Sequence, residues 1–105
     1  MKVAITSTGN TLESTIDTRL GRCAYFFIYD IENKGMEFIS NTNLDLDKGS
    51  GPASVQLVAS KNVKKIISGD FGIKIKSLLD CLKIQMIVLK NPDKKIKEII
   101  EMLNR

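Results

Sequence analysis

Apolar residues follow two rhythms along this chain. Lys2 to Thr6 is a short apolar run; Tyr25 to Ile31 and Met36 to Asn41 are aromatic and β-branched runs on either side of a Gly-bearing turn at 32–35. That pattern predicts a buried first strand followed by a hairpin. The period then changes. Ser50, Gly51 and Pro52 open a helix, with the proline near the first helical position and a capping residue before it, and Val55, Leu57 and Val58 supply its apolar side as far as Asn62. Lys64 to Ser68 predicts a fourth strand, and Ile75, Leu78, Leu79 and Leu82 fall at the i, i+3, i+4, i+7 positions of a second helix. Ile84 to Leu89 predicts a fifth strand. Asn91 to Asp93 then caps a last helix carried by Ile96, Ile99, Ile100 and Leu103.

The resulting order, βββαβαβα, makes this an α/β chain. Strands that alternate with helices pair in parallel through right-handed crossovers, whereas the hairpin is antiparallel, so the expectation is one mixed five-stranded sheet with helices on both faces. Three glycine-bearing connections are left over: Ser7 to Cys23, Leu46 to Pro52 and Gly69 to Gly72. In open α/β sheets ligands bind beyond the carboxyl ends of the parallel strands, and these three connections are expected to meet at that edge. The first is long for a structureless loop in a compact domain, which marks it for function.

Composition narrows the choice of function. A chain of 105 residues with 43% apolar content is expected to form one domain, residues 1–105, with a core of its own and room for one site. No leader-like pattern and no apolar run of bilayer length occurs, so a cytoplasmic protein without a membrane role is expected. Two distant cysteines, Cys23 and Cys81, predict reduced thiols in such a compartment, and there is no histidine. The net charge of +4 sits in the second half, yet no block of five or six Lys/Arg occurs, so solubilising helix faces are favoured over a nucleic-acid surface.

The motif content rejects several classes. Gly49-Ser50-Gly51 lacks the Lys-Ser/Thr ending of a nucleotide-binding P-loop, and no dinucleotide GxGxxG is present. Two-metal nuclease chemistry needs clustered carboxylates, one of them on the first strand, and Lys2 to Thr6 has none.

The segment Leu20-Gly21-Arg22-Cys23-Ala24-Tyr25-Phe26, the GxGP helix entry at Gly49 to Pro52 and the GxxG at Gly69 to Gly72 together resemble the dinitrogenase iron-molybdenum cofactor biosynthesis family, over nearly the whole chain. The resemblance implies a three-layer, ribonuclease H-like fold and non-enzymatic binding of an iron-sulfur or iron-molybdenum-type metallocluster, or its precursor. Implied partners are cluster donor or acceptor proteins, with the chain a monomer or weak homodimer. The cofactor-binding residues it points to are Arg19, Gly21, Arg22, Cys23, Gly49, Ser50, Gly51, Gly69, Asp70 and Gly72, with Cys23 as the metal ligand.

Where many members carry histidines this chain has Arg19 and the Asp47-Lys48 region, so iron contacts fall to thiolate, carboxylate or backbone. A glycine before the fifth strand is replaced by Lys83. Two readings stay open for several residues. Cys23 is either a thiolate whose pKa Arg19 and Arg22 lower, or a small hydrophobe opening the second strand. Arg22 either neutralises an anionic cluster or pairs with Asp17 or Asp30. Gly49, Ser50 and Gly51 either provide a permissive helix entry or aim amide N–H groups at an anion. Asp70 is expected to cap the second helix, Phe71 to plug the core, and Cys81 to sit at the core boundary. The alternative to cluster binding is a regulatory or scaffold domain using the basic second half, Lys94, Lys95 and Lys97 included.

Overall fold

The computed structural model describes residues 1–46, 48–72 and 74–105. Its elements are β1 (Lys2–Ser7), β2 (Tyr25–Asp30), β3 (Met36–Ser40), α1 (Ser50–Ala59), β4 (Val63–Ser68), α2 (Ile75–Cys81), β5 (Gln85–Val88) and α3 (Ile96–Leu103). The strands form one sheet in the order β3-β2-β1-β4-β5. β2 runs antiparallel to both β1 and β3, while β1, β4 and β5 are parallel. This is the expected mixed α/β sheet of ribonuclease H-like layout.

Side chains alternate across a strand, so each buried strand feeds two cores. On one face Ala4, Phe26, Ile28 and Ile66 meet Val55 and Val58 of α1 and Ile75 and Leu79 of α2. On the other Val3, Ile5, Phe27, Tyr29 and Ile67 meet Ile96, Ile99 and Ile100 of α3. The three layers are therefore two helices, the sheet, and one helix. On the single-helix face Phe27 packs against Phe38 with ring centroids 4.7 Å apart, and Tyr29 donates its hydroxyl hydrogen to Asn104 Oδ1 at 3.0 Å.

Local expectations shift at the element ends, each for a definable reason. α1 stops at Ala59, because Asn62 turns the chain with a positive φ of 63°. α2 begins with Lys74 as its N-cap, so Asp70 does not cap it; Asp70 Oδ1 instead accepts the Gly72 N–H at 3.2 Å and closes a turn within the loop. The helix ends at Cys81, which leaves both that thiol and Leu82 exposed, in place of the expected core boundary. Lys83 follows with φ 58°, a left-handed conformation that favours glycine. α3 starts at Ile96, later than Asn91 to Asp93 would imply, because Lys95 is held in extended backbone by pairing with Thr15. Its start is closed by Glu98, whose Oε1 accepts the Lys95 N–H at 2.9 Å.

The long first connection is not structureless. Ser7 pairs with Ile16 and Thr15 with Lys95, both antiparallel, and the Ile16 N–H bonds Lys94 O at 2.8 Å. The segment folds back beside β1 and stitches it to the start of α3. Nonlocal pairing of this kind leaves no periodic mark in sequence.

Candidate functional site

Strand directions bring three connections together at one edge: the one from β1 to β2, the one from β3 to α1, and the one from β4 to α2. All three predicted glycine loops are there, except that Asp47 lies outside the described residues. Close backbone packing shows how tightly they meet. A Cβ on Gly21 would lie 2.7 Å from Ser50 Oγ and 2.8 Å from the Gly51 nitrogen, so the absent side chain lets the segment before β2 rest on the start of α1. A Cβ on Gly69 would lie 2.7 Å from Thr18 Cα, and the Gly69 N–H bonds Asp17 O at 3.2 Å. Gly49 caps α1 with φ 77°, a left-handed backbone that leaves no strain only in glycine.

Beneath these loops lies a buried polar layer of Thr6, Ser7, Asp17, Asn41, Ser54 and Ser68. Among the described residues every fully buried side-chain nitrogen and oxygen has a hydrogen-bond partner. Asn41 is the hub. Its Nδ2 donates to Gly21 O at 3.0 Å and Cys23 O at 2.9 Å, while its Oδ1 accepts from Ser54 Oγ at 3.3 Å and the Asn43 N–H at 3.1 Å. Sequence reasoning did not single it out; the available signal was an Asn ending an apolar strand just before a polar run.

The two arginines divide their work. Arg19 Nε stands 3.4 Å from Asp17 Oδ1, and the same oxygen accepts the Arg19 N–H at 2.9 Å. Arg22 donates from its guanidinium to Leu44 O, and among the described residues it forms no ion pair with Asp17 or Asp30, one of the two readings open for it. Arg19 keeps 64% of its side chain exposed, so its guanidinium remains open to an incoming anion.

Cys23 is fully buried, with Sγ donating to Leu20 O at 3.3 Å. Burial, reinforced by the Asp17 charge, pushes its pKa up to about 12, against the weaker opposing help of hydrogen bonds from the Ser7 backbone and Asn41. Of the two readings open for Cys23, this setting favours the buried, uncharged thiol: burial opposes a charged sulfur, and the two guanidinium groups point elsewhere. Phe71, at 6% exposure, plugs the two-helix core as expected.

Among the described residues no three His, Cys, Asp or Glu side chains converge to cage a metal. What the edge can do is present charge and donors to an anion. The first-turn N–H groups of α1 at Ser50 and Gly51 have no partner within the helix, Pro52 has no N–H to offer, and the Ala53 N–H returns to Gly49 O. Two cavities among the described residues lie elsewhere. One of about 210 Å³ opens beside the β2–β3 turn at Lys2, Asp30 and Glu37, and one of about 170 Å³ opens between β5 and α3.

A profile of the family described as dinitrogenase iron-molybdenum cofactor matches residues 1–105. The chain belongs to that family. Among solved structures, the NMR structure of a candidate NifB protein from Thermotoga is 32% identical and superposes with a TM-score of 0.80, over 95% of this chain and 84% of that one. The apo form of the orange protein from Desulfovibrio gigas superposes with a TM-score of 0.88 at 23% identity, over 95% and 83% of the two chains. A candidate dinitrogenase from Methanocaldococcus jannaschii matches at 22% identity and a TM-score of 0.61, over 98% and 90%. The last two likenesses establish the fold alone. No curated protein matches the chain by sequence. No helix among the described residues is long and apolar enough to cross a membrane.

Proposed function

We propose that this family member is a non-catalytic carrier whose cargo is an anionic metal cluster of iron-sulfur or iron-molybdenum type, or a precursor of one, received from and passed to proteins of nitrogenase-type cofactor assembly. The observation that carries the reading is the convergence of the family's glycine segments at one edge, where Gly21 rests on Ser50 and Gly51, and Gly69 on Thr18. The donor set favours capture by charge and hydrogen bonding over ligation. Arg19 and Arg22 supply guanidinium groups, Ser50 and Gly51 supply N–H groups, and the loop Gly69-Asp70-Phe71-Gly72 borders them. In this reading Cys23 lies under the binding surface as a neutral thiol, and reaches a metal only if the Leu20–Cys23 segment opens. Weak, unligated capture suits a cargo that has to leave again.

The scaffold alternative has less support, because Lys95 and Lys97 are both engaged by Glu13, at 3.0 and 2.7 Å, and so contribute less free positive charge than their number suggests.

Anaerobic titration of the protein with a preformed iron-sulfur cluster, read by absorbance and iron per chain, tests the proposal. Wild type takes up cluster, Arg19→Gln with Arg22→Gln loses uptake, and Cys23→Ser retains it. Loss in Cys23→Ser with the fold intact would return the ligand role to the thiolate. Absence of uptake by wild type would sink the carrier reading.

A further inference from the structure

β5 is an outer strand of the sheet, paired with β4 alone. The Leu89 N–H bonds Ser68 O at 3.0 Å, so alternation turns the N–H and C=O groups of Val88 and Met86 away from β4 toward the free edge. Beside this edge, on the α3 face, runs the cavity of about 170 Å³, lined by Ile67, Ile87, Leu89, Ile99, Met102 and Leu103. Met102 is 42% exposed, so apolar surface continues out of the groove, and Val88, turned to the opposite face of β5, is 45% exposed beside the free edge. One helix does not cover this face of a five-stranded sheet, and the uncovered part lies next to unpaired backbone.

Charge selects what can cover it. Lys83 and Lys90 stand exposed at the two ends of β5, and Lys65 lies on the same face of β4 as Ile67. Among the described residues none of the three has an ion-pair partner. Glu98 of α3 is turned back to the Lys95 N–H. An antiparallel second copy centred on Ile87 would set Lys83 of one chain across from Asn91 of the other and one position from its Lys90, a like-charge crowding that discourages self-pairing. The same lysines attract a strand with carboxylates at its ends.

We propose that the β5 edge and its groove dock an extended acidic segment of a partner protein by strand addition. Main-chain bonds to Met86 and Val88 hold it, alternate apolar side chains enter the groove over Ile87, and flanking Asp or Glu residues meet Lys83 and Lys90. The surface is separate from the arginine and glycine edge, so it holds or fails independently of the carrier reading.

The test uses the full chain and two short fluorescent peptides with Val at alternate positions, one ending in Glu on both sides and one in Lys. Anisotropy at rising salt gives affinity, and backbone-amide NMR locates the contact. The Glu-ended peptide is expected to bind about tenfold more tightly at low salt than its Lys-ended sister, and to lose that margin as salt screens the ends. Amide shifts should concentrate at Met86 and Val88. Lys83→Glu with Lys90→Glu should invert the preference. Val88→Pro, which removes an outward N–H and no ladder bond, should abolish binding with circular dichroism unchanged. No binding of the Glu-ended peptide, equal binding of the two, shifts centred elsewhere, or self-association of wild type through β5 overturns the proposal.

Discussion

The two faces of the sheet are built to different plans. The face under α1 and α2 shares its residues with the candidate site: Leu20, Cys23 and Phe71 come from the connecting loops yet are buried in that core. The face under α3 is filled by strand and helix residues with Ile16, and the site loops add little more to it. On the first face, stability and site geometry are one property. On the second they are separable, and the strip beside β5 can stay uncovered without disturbing the loops at the carboxyl edge.

The sharpest way to break this contrast is a matched pair of truncations. Phe71→Ala should destabilise by about 3–5 kcal/mol and also shift the amides of Gly21 and Ser50, since the loop loses its anchor. Ile99→Ala should cost about 2–5 kcal/mol and leave those amides in place. Urea unfolding and NMR read both, and unchanged site amides in Phe71→Ala would dissolve the distinction. Asn41→Ala comes next, at about 1–3 kcal/mol, because it strands the carbonyls of Gly21 and Cys23 in a buried layer. Gly21→Ala should cost about 1–3 kcal/mol by forcing the segment off Ser50 and Gly51, and should weaken cluster uptake beyond its effect on unfolding.

The Cys23 thiol sharpens the contrast through pH. Its pKa is raised in the folded state from an ordinary 9.0 to about 12, so the folded chain holds the proton more strongly than the unfolded one. That contribution is complete below about pH 9 and is lost as pH climbs toward about 12. Melting curves of Cys23→Ala should therefore fall less steeply with pH across that range than those of wild type. At neutral pH iodoacetamide should modify exposed Cys81 at least about tenfold faster than Cys23. Smallest of all, Glu13→Gln should release Lys95 and Lys97 with no measurable change in melting temperature, since all three groups are solvated; a large drop would mean the α3 face depends on its surface after all.

Much of this architecture was legible in the chain. Apolar alternation located the strands, the spacing of Ile75, Leu78 and Leu79 and of Ile96, Ile99 and Ile100 located the helices, and the glycine loops fell at one edge as the strand directions required. What stayed illegible was nonlocal. The late start of α3 depends on Thr15, far away in sequence, and the exposure of Cys81 depends on a turn at Lys83 that its identity does not advertise. Arg19 and Arg22 could not be told apart by spacing, because which one reaches Asp17 is decided by how the loop lies over the sheet. The two readings of Cys23 could not be separated for a related reason: neighbours in sequence suggested a charged environment, and neighbours in space supplied a dry one.

The position of β1 has a consequence for how the chain comes off the ribosome. β1 lies at the centre of the sheet, and one of its sides is closed early by β2, which follows directly in sequence and is backed by β3. Its other side pairs with β4, residues 63–68, and stays open until they have been made and α1 has crossed over. During that interval an apolar parallel edge faces the cell, and the half-built sheet is the species most prone to aggregate.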